Sequence, residues 1–484
     1  MQLPEEFIQY ATEALGEERS AVLFREIEDG TEMTSVRVNP LKGSADVDGL
    51  EKVPWSSLGY YLPQRPVFTL DPLFHAGGYY VQEASSMYME LVRDAIEADF
   101  AGRYGGEDLS GGGFFDRDIA ALDLCAAPGG KTTHLASLLG KDSMLVSNEV
   151  IKSRAVVLAD NVAKWGTDNI VVTNNDPSDF GAFEGYFNLV VVDAPCSGEG
   201  LFRKDSQAVE EWSPANVNLC AQRQQRILAD IWPAVAPGGY LVYSTCTYNK
   251  FENDGNLRFL QETLGAIMTL ILFPTTSESG VISTEFGGLQ FVPGLVKGEG
   301  QFVAVVHKPY GDFEDSGEGS IRSGKKKKRG KEGKKSAIQF EKGCNYLPDN
   351  YIKVLQGDLV KGYRDTLFER IRFVEERLRV VLGGVAIAEK KGKDYVPHAD
   401  LALQGVMADM VARNALPGGI SAVEVGREDA LRFLAKEALV LPGAPLGYVL
   451  LVYKGLGLGF VKNLGNRTNN LLPMARRIRM NING

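Results

Sequence analysis

Between Ala120 and Pro309 short β-branched apolar runs alternate with amphipathic segments. This pattern predicts parallel strands joined by right-handed helical crossovers. The predicted strands are Ala120–Cys125, Ser143–Glu149, Asn169–Asp176, Phe187–Asp193 and Tyr240–Thr245, with Gln301–His307 as a final strand paired with Ile267–Leu272. The intervening helices follow from 3.6-residue spacing. A helix from Lys131 places Leu135, Leu138 and Leu139 on one face, and Ile151 to Trp165 repeats apolar residues at the same spacing. Pro214 to Val235 begins with Ser213-Pro214, a cap residue and a first-turn proline, and Pro237-Gly238-Gly239 is expected to end that helix and turn into the next strand.

Residues 1–100 mix helix and strand signals and are expected to form a small α+β unit, followed by the α/β unit over 101–312. Residues 313–337 turn to Gly, Ser and Lys, including Lys325 to Lys328 and Arg329. Such a stretch cannot bury a core and reads as a basic disordered linker. A third section, 338–484, ends in the glycine-rich strand-like run Leu446–Lys462 and the basic Arg476-Arg477-Ile478-Arg479.

Composition narrows the class. The chain of 484 residues is 44% hydrophobic and 24% charged, which describes a globular protein of about three domains. Leu264–Phe273 is too short to span a bilayer and the opening Met-Gln-Leu-Pro-Glu-Glu has no signal-peptide pattern, so a cytoplasmic protein without membrane association is expected. Five scattered cysteines and four histidines, with no Cys-x-x-Cys pair, argue against a disulfide framework and a zinc site, and no metal is expected. A net charge of −10 excludes whole-surface attraction to nucleic acid, so any RNA contact must use local cations.

The chemistry concentrates at predicted strand ends. The first strand runs into Cys125-Ala126-Ala127-Pro128-Gly129-Gly130-Lys131, a small-residue turn where main chain can approach a ligand at the carboxyl end of a sheet. Cys125 stands where a phosphate-binding P-loop needs its first glycine, and the dinucleotide G-x-G-x-x-G is absent. A nucleoside cofactor lacking a pyrophosphate fits better. Glu149 ends the second strand about 20 residues on, where a carboxylate can accept from ribose hydroxyls, and Asp176 ends the third. Each has an ordinary alternative as a turn residue. The fourth strand ends in Asp193-Ala194-Pro195-Cys196-Ser197-Gly198-Glu199-Gly200 and the fifth in Ser244-Thr245-Cys246-Thr247-Tyr248. A lone cysteine is usually a small buried hydrophobe. Two at the ends of neighbouring strands suit a pair of thiols acting on one substrate.

Together these motifs resemble the RNA (cytosine-5) methyltransferases of the Nol1/Nop2/Sun group, through Asp123–Thr133, Glu149, Asp176, Asp193–Gly200 and Ser244–Asn249. The resemblance implies a Rossmann-like class I methyltransferase domain with S-adenosyl-L-methionine as cofactor. It implies contacts to that cofactor from Cys125, Ala126, Ala127, Pro128, Gly129, Gly130, Lys131, Glu149, Asp176 and Asp193. It also implies Cys246 as nucleophile and Cys196 in product release. Carbon 5 of cytosine is a weak nucleophile, so a thiolate adds at carbon 6 to form an enamine-like species. Asp193 in its acid form would stabilise that adduct at ring nitrogen 3. Arg37-Val38-Asn39-Pro40-Leu41-Lys42 and Gly78–Glu83 resemble segments preceding the catalytic domain in this group; read alone they are a basic loop and a strand start. Lys454–Phe460, Asn469–Pro473 and Arg476-Arg477 resemble a PUA-like β-barrel, expected from about residue 385, in an RNA-binding C-terminal region.

The expectation is therefore a monomeric, cytoplasmic methyltransferase acting on 16S ribosomal RNA or the small ribosomal subunit. Transfer RNA is an alternative substrate, and a non-catalytic RNA-binding assembly factor is an alternative role. Amine methyltransferases commonly carry Asn-Pro-Pro-Tyr at the fourth strand end, where this chain has Asp-Ala-Pro-Cys.

Overall fold

A computed structural model describes residues 3–30, 33–43, 46–104, 112–273, 280–310 and 338–482. The expected linker over 313–337 lies outside the described residues. The amino-terminal part pairs helices α1 (Glu5–Leu15) and α2 (Glu17–Asp29) with strands β1 (Thr34–Val38), β2 (Gly59–Leu62) and, after the short α3 (Pro72–His75), β3 (Tyr79–Val81). The strands form an antiparallel sheet in the order β2-β1-β3. Phe7, Ala11 and Leu15 form the buried stripe of α1 and pack against Phe202, Trp212 and Tyr248, which flank the two cysteine motifs.

Helix α4 (Met89–Tyr104) leads into the large central sheet. Its core is β4 (Ala120–Asp123), α5 (Gly130–Leu138), β5 (Met144–Asn148), α6 (Lys152–Trp165), β6 (Ile170–Thr173), β7 (Phe187–Asp193), α7 (Ser206–Glu211), α8 (Pro214–Ile231) and β8 (Val235–Thr245). The parallel strands lie in the order β8-β7-β4-β5-β6. The order reverses between β4 and β7, the switch point outside whose carboxyl ends ligands bind in open α/β sheets. Covered faces explain the unbroken apolar runs. Ala121, Leu145, Leu189 and Val191 face a layer holding Ile96, Leu135, Leu158 and Val162. Their neighbours Leu122, Val146, Val190 and Val192 face Ile227, Leu228 and Ile231 of α8 and Leu257 of α9 (Asp254–Glu262).

Short strands β9 (Ile267–Thr269), β10 (Val281–Ser283) and β11 (Leu289–Phe291) precede β12 (Gln301–His307), which runs antiparallel to β8 and, as expected, to β9. One expectation fails: Pro237-Gly238-Gly239 is not the turn before β8 but lies inside it. Helix α8 stops at Ile231 and β8 starts at Val235, with the register shift opposite Phe187–Leu189 absorbing the proline and glycines.

The carboxy-terminal section forms β13 (Tyr351–Gln356), β14 (Leu359–Arg364), helix α10 (Phe368–Glu375), β15 (Val380–Leu382), β16 (Val385–Lys391) and β17 (Asp394–Pro397). Strands β13-β14-β16-β17 make one sheet, whereas β15 leaves it to pair with β6 and extend the large central sheet. The boundaries expected at 100 and 385 thus fall inside continuous structure, α4 and the β13–β17 sheet. A last sheet joins β18 (Ser421–Glu424), β19 (Gly447–Tyr453), β20 (Leu456–Asn463) and β21 (Thr468–Asn470). The run Leu446–Lys462 is its central hairpin, turning at Lys454-Gly455 with positive φ at both residues. No helix among the described residues is long and apolar enough to cross a membrane.

Candidate active site

The turn after β4 carries the chain from the sheet into α5, and Gly129 caps that helix at φ +113°. An L side chain there is strained, and its Cβ would stand 3.1 Å from Leu158 Cδ1. The turn is held from behind by the amino-terminal unit. Arg37 is buried, donating from Nε to Gln82 (2.8 Å) and from Nη2 to Gly130 O (3.2 Å) and Thr133 Oγ1 (2.5 Å). Lys42 is buried too, giving its Nζ to the carbonyls of Ala76 (2.6 Å) and Lys164 (2.7 Å). Burial lowers Arg37 to about 9 and Lys42 to about 7. The segment read alone as a basic loop is therefore not an exposed cationic surface. Lys42 binds two backbone carbonyls at the junction, and Arg37 one carbonyl and two side-chain oxygens.

A cavity of about 500 Å³ opens at the switch point. Its walls bring together Cys125, Ala127, Glu149, Asp176, Asp193, Cys196 and Cys246, from five strand ends. Ala126, Pro128, Gly130 and Lys131 line an adjoining cavity that shares Cys125, Ala127 and Asp193. Gly129 lines neither and shapes the turn. Glu149 Oε1 accepts from the Ile151 amide at 2.9 Å, and Arg154 pairs with its Oε2 at 3.2 Å. Asp176 caps the helical turn that follows it, accepting from the Ser178 amide and hydroxyl, and those bonds lower its pKa. The turn role and the cavity wall thus coexist in one residue. Asn148, unremarked in the sequence, donates to Leu124 O and Asn175 O and ties three strand ends together.

The sulfurs of Cys196 and Cys246 lie 2.9 Å apart, both as free cysteines. Of the remaining three, Cys220 and Cys344 are buried, as in the ordinary reading, and Cys125 is half-buried in the turn after β4. The approach of the two cysteine loops depends on Gly200, whose amide donates to Cys246 O at 2.6 Å and whose added Cβ would sit 2.5 Å from that oxygen. Two buried glutamates weld the loops. Glu199 accepts from the Tyr248 amide (2.7 Å), Asn249 Nδ2 (2.8 Å) and Trp212 Nε1 (3.1 Å), and from Thr247. Glu252 accepts from the Ser197 amide (3.0 Å) and Gln224 (2.7 Å), and burial raises its pKa. Sequence reasoning missed Glu252, Gln224 and the role of Glu199; the available signal was polar residues in otherwise apolar surroundings.

Asp193 stands beside the thiols with both oxygens accepting, Oδ1 from Ser244 Oγ (2.7 Å) and Oδ2 from Lys131 Nζ (2.9 Å). Ser244 in turn accepts from Tyr88 at 2.7 Å. Against the burial that would lower it, the Asp193 carboxylate holds Lys131 above its ordinary value, and Lys131 also senses Cys246 electrostatically. The hydrogen bond with Cys246, reinforced by burial, pushes the Cys196 thiol up. Among the described residues no group of three or more His, Cys, Asp or Glu is arranged to hold a metal. The cavity fits a nucleoside-bearing sulfonium: carboxylates at the second and third strand ends for hydroxyls, apolar Val150, Ile151 and Pro177 for a ring, and two thiols at the far wall.

Comparison with known proteins assigns these parts. A family described as 16S rRNA methyltransferase RsmB/F matches residues 116–307, the N-terminal domain of 16S rRNA methyltransferase RsmF matches 3–84, and the methyltransferase RsmF PUA domain matches 421–478. A ribosomal RNA small subunit methyltransferase F from Shewanella sp. (strain ANA-3) is 32% identical, covering 91% of this chain and 90% of its own. One from Aeromonas hydrophila is 31% identical over the same shares, 91% and 90%. The solved structure of PH0851 is 26% identical with a TM-score of 0.54, covering 63% of this chain and 66% of that one.

Proposed function

This chain belongs to the 16S rRNA methyltransferase RsmB/F family, and from that premise we propose that it methylates carbon 5 of a cytosine in 16S rRNA through a covalent adduct on Cys246. It is an S-adenosylmethionine-dependent RNA methyltransferase. The single observation that carries the finer reading is the 2.9 Å approach of the Cys196 and Cys246 sulfurs beside Asp193.

Cys196, whose thiol is pushed up, keeps its proton and can offer it to the neighbouring sulfur, leaving Cys246 as the sulfur that attacks. The Lys131 ammonium supplies the nearby positive charge a thiolate needs. Cys246 forms a bond to carbon 6, and electron density moves to carbon 5. Bound cofactor supplies the methyl group. Asp193, whose two oxygens already accept from Lys131 and Ser244, takes the exocyclic amine of the base as a further donor, in place of the acid-form role at ring nitrogen 3 expected from the sequence. After the adduct has formed Cys196 passes its thiol proton to solvent and takes the carbon 5 proton; the freed pair re-forms the 5,6 double bond and the Cys246–carbon 6 bond breaks with its electrons returning to Cys246. The turn Cys125–Lys131 with Glu149, Asp176 and Asp193 holds the cofactor in this scheme.

The amino-terminal unit (1–100) and the carboxy-terminal region (338–484) are assigned to RNA contact around the methyltransferase core, with the chain acting as a cytoplasmic monomer. Bisulfite sequencing of 16S rRNA and transfer RNA from cells with and without the gene tests the reading. One or more 16S cytosines should lose protection when the gene is absent. Loss confined to transfer RNA, or no loss, contradicts it.

A further inference from the structure

A third cavity, of about 290 Å³, lies behind the cofactor turn and has no part in the chemistry above. Five aromatic rings line it, Phe68, Phe74, Tyr79, Tyr80 and Trp165, from the amino-terminal unit and the end of α6. Phe68, Phe74 and Tyr79 stand with centroids 6.1–6.2 Å apart, tilted and half-buried, so none closes the space against the others. Two cations rim it. Arg65 lies 5.7 Å from the Phe68 centroid and Lys164 6.0 Å from that of Phe74. Nearby carboxylates are committed: Asp160 pairs with Lys164 and Arg476, and Asp71 accepts from Tyr79.

We propose that this pocket captures an unstacked base of single-stranded RNA flanking the methylated nucleotide, with a neighbouring phosphate on Arg65 and Lys164 contributing its charge from the ion pair with Asp160 at the rim. Rings with cations at their edge are the surface that binds bases without sequence preference, because every base has a π-face and each is followed by a phosphate. Charge and continuity select RNA over another apolar guest. Lys164 also lines the next cavity, where exposed Arg477 and Arg479 stand. In the other direction Tyr80 and Val81 are shared with the cavity holding Lys131 and Asp193. A strand held here therefore has a lined path toward the reactive cysteines. The pocket also reports to the cofactor turn, since Tyr80 (3.1 Å) and Asn161 (2.8 Å) both donate to Pro128 O.

The inference rests on RNA being the substrate, and the test separates the two. Wild-type enzyme that transfers no methyl group to unmodified small subunits or their RNA defeats the parent reading. If wild type is active, Phe68→Ala and Arg65→Ala should each raise KM for RNA about tenfold, with kcat at saturation little changed. Cofactor affinity should hold, and Phe68→Trp should restore KM. An abasic nucleotide at one flanking position should mimic Phe68→Ala and add nothing to it. Unchanged KM in both variants overturns the pocket, as does an abasic scan in which no position is silenced by Phe68→Ala. Should Phe68→Ala fail to fold, crosslinking of wild type to 4-thiouridine-substituted RNA decides: adducts within residues 65–81 support capture, and their absence refutes it.

Discussion

At the residue scale the site depends on atoms that cannot move far. In the proposed scheme Cys246 acts on the base and not on the sulfonium, so Cys246→Ala should abolish methyl transfer while cofactor affinity, measured by calorimetry, stays within roughly a few fold. Gly129 tests the other half of the cavity. Its φ of +113° and the 3.1 Å gap to Leu158 leave no place for a branched side chain. Gly129→Val should weaken S-adenosylmethionine binding, and unchanged affinity would move the cofactor elsewhere. Gly200 joins the cysteine loops: Gly200→Ala drives a methyl into Cys246 O, costing about 1–3 kcal/mol of stability and most of the activity. A thermal midpoint and rate equal to wild type would show that the loops approach each other differently.

At the scale of elements, much was legible because the strands of a parallel sheet are covered on two faces and read as unbroken apolar runs. β7 and β12 fall where the sequence places them, at Phe187–Asp193 and Gln301–His307. The start of β8 was not legible, because a proline and two glycines announce a turn locally and only the neighbouring strand makes them a distorted strand. Nor was the fate of Arg37 and Lys42, since local sequence cannot tell a cation facing water from one facing buried carbonyls. The strand β4 carries a testable burden of its own. Asp123 is wholly buried, with Oδ2 accepting from Thr132 at 2.6 Å and Oδ1 without a partner among the described residues, and burial pushes it from 3.8 up to about 7. The folded protein then holds a proton that the unfolded chain releases, so this group's contribution to stability falls as pH rises from about 4 to about 7 and levels off above. Asp123→Asn should flatten that part of the stability–pH profile; an unaltered slope would mean the group is ionised in the fold.

At the scale of the molecule, a chain with net charge −10 must bind RNA through local cations. The exposed Arg477 and Arg479 are candidates, whereas Arg476 is committed to Asp160 and Asp400. Replacing Arg477 and Arg479 by Glu should weaken RNA binding at low salt and reduce the slope of log affinity against log salt by roughly two. An unchanged slope would place the RNA elsewhere. The carboxy-terminal region is also part of the enzyme's frame, because β15 completes the edge of the catalytic sheet beside β6. The central claim, two sulfurs with opposite duties in one reaction, is tested most directly in the full chain by denaturing gels with labelled RNA. Cys196→Ala should trap a slow-migrating protein–RNA adduct, and removing Cys246 as well should abolish it. A band that persists in the double variant, or that forms in Cys246→Ala alone, would contradict the assignment.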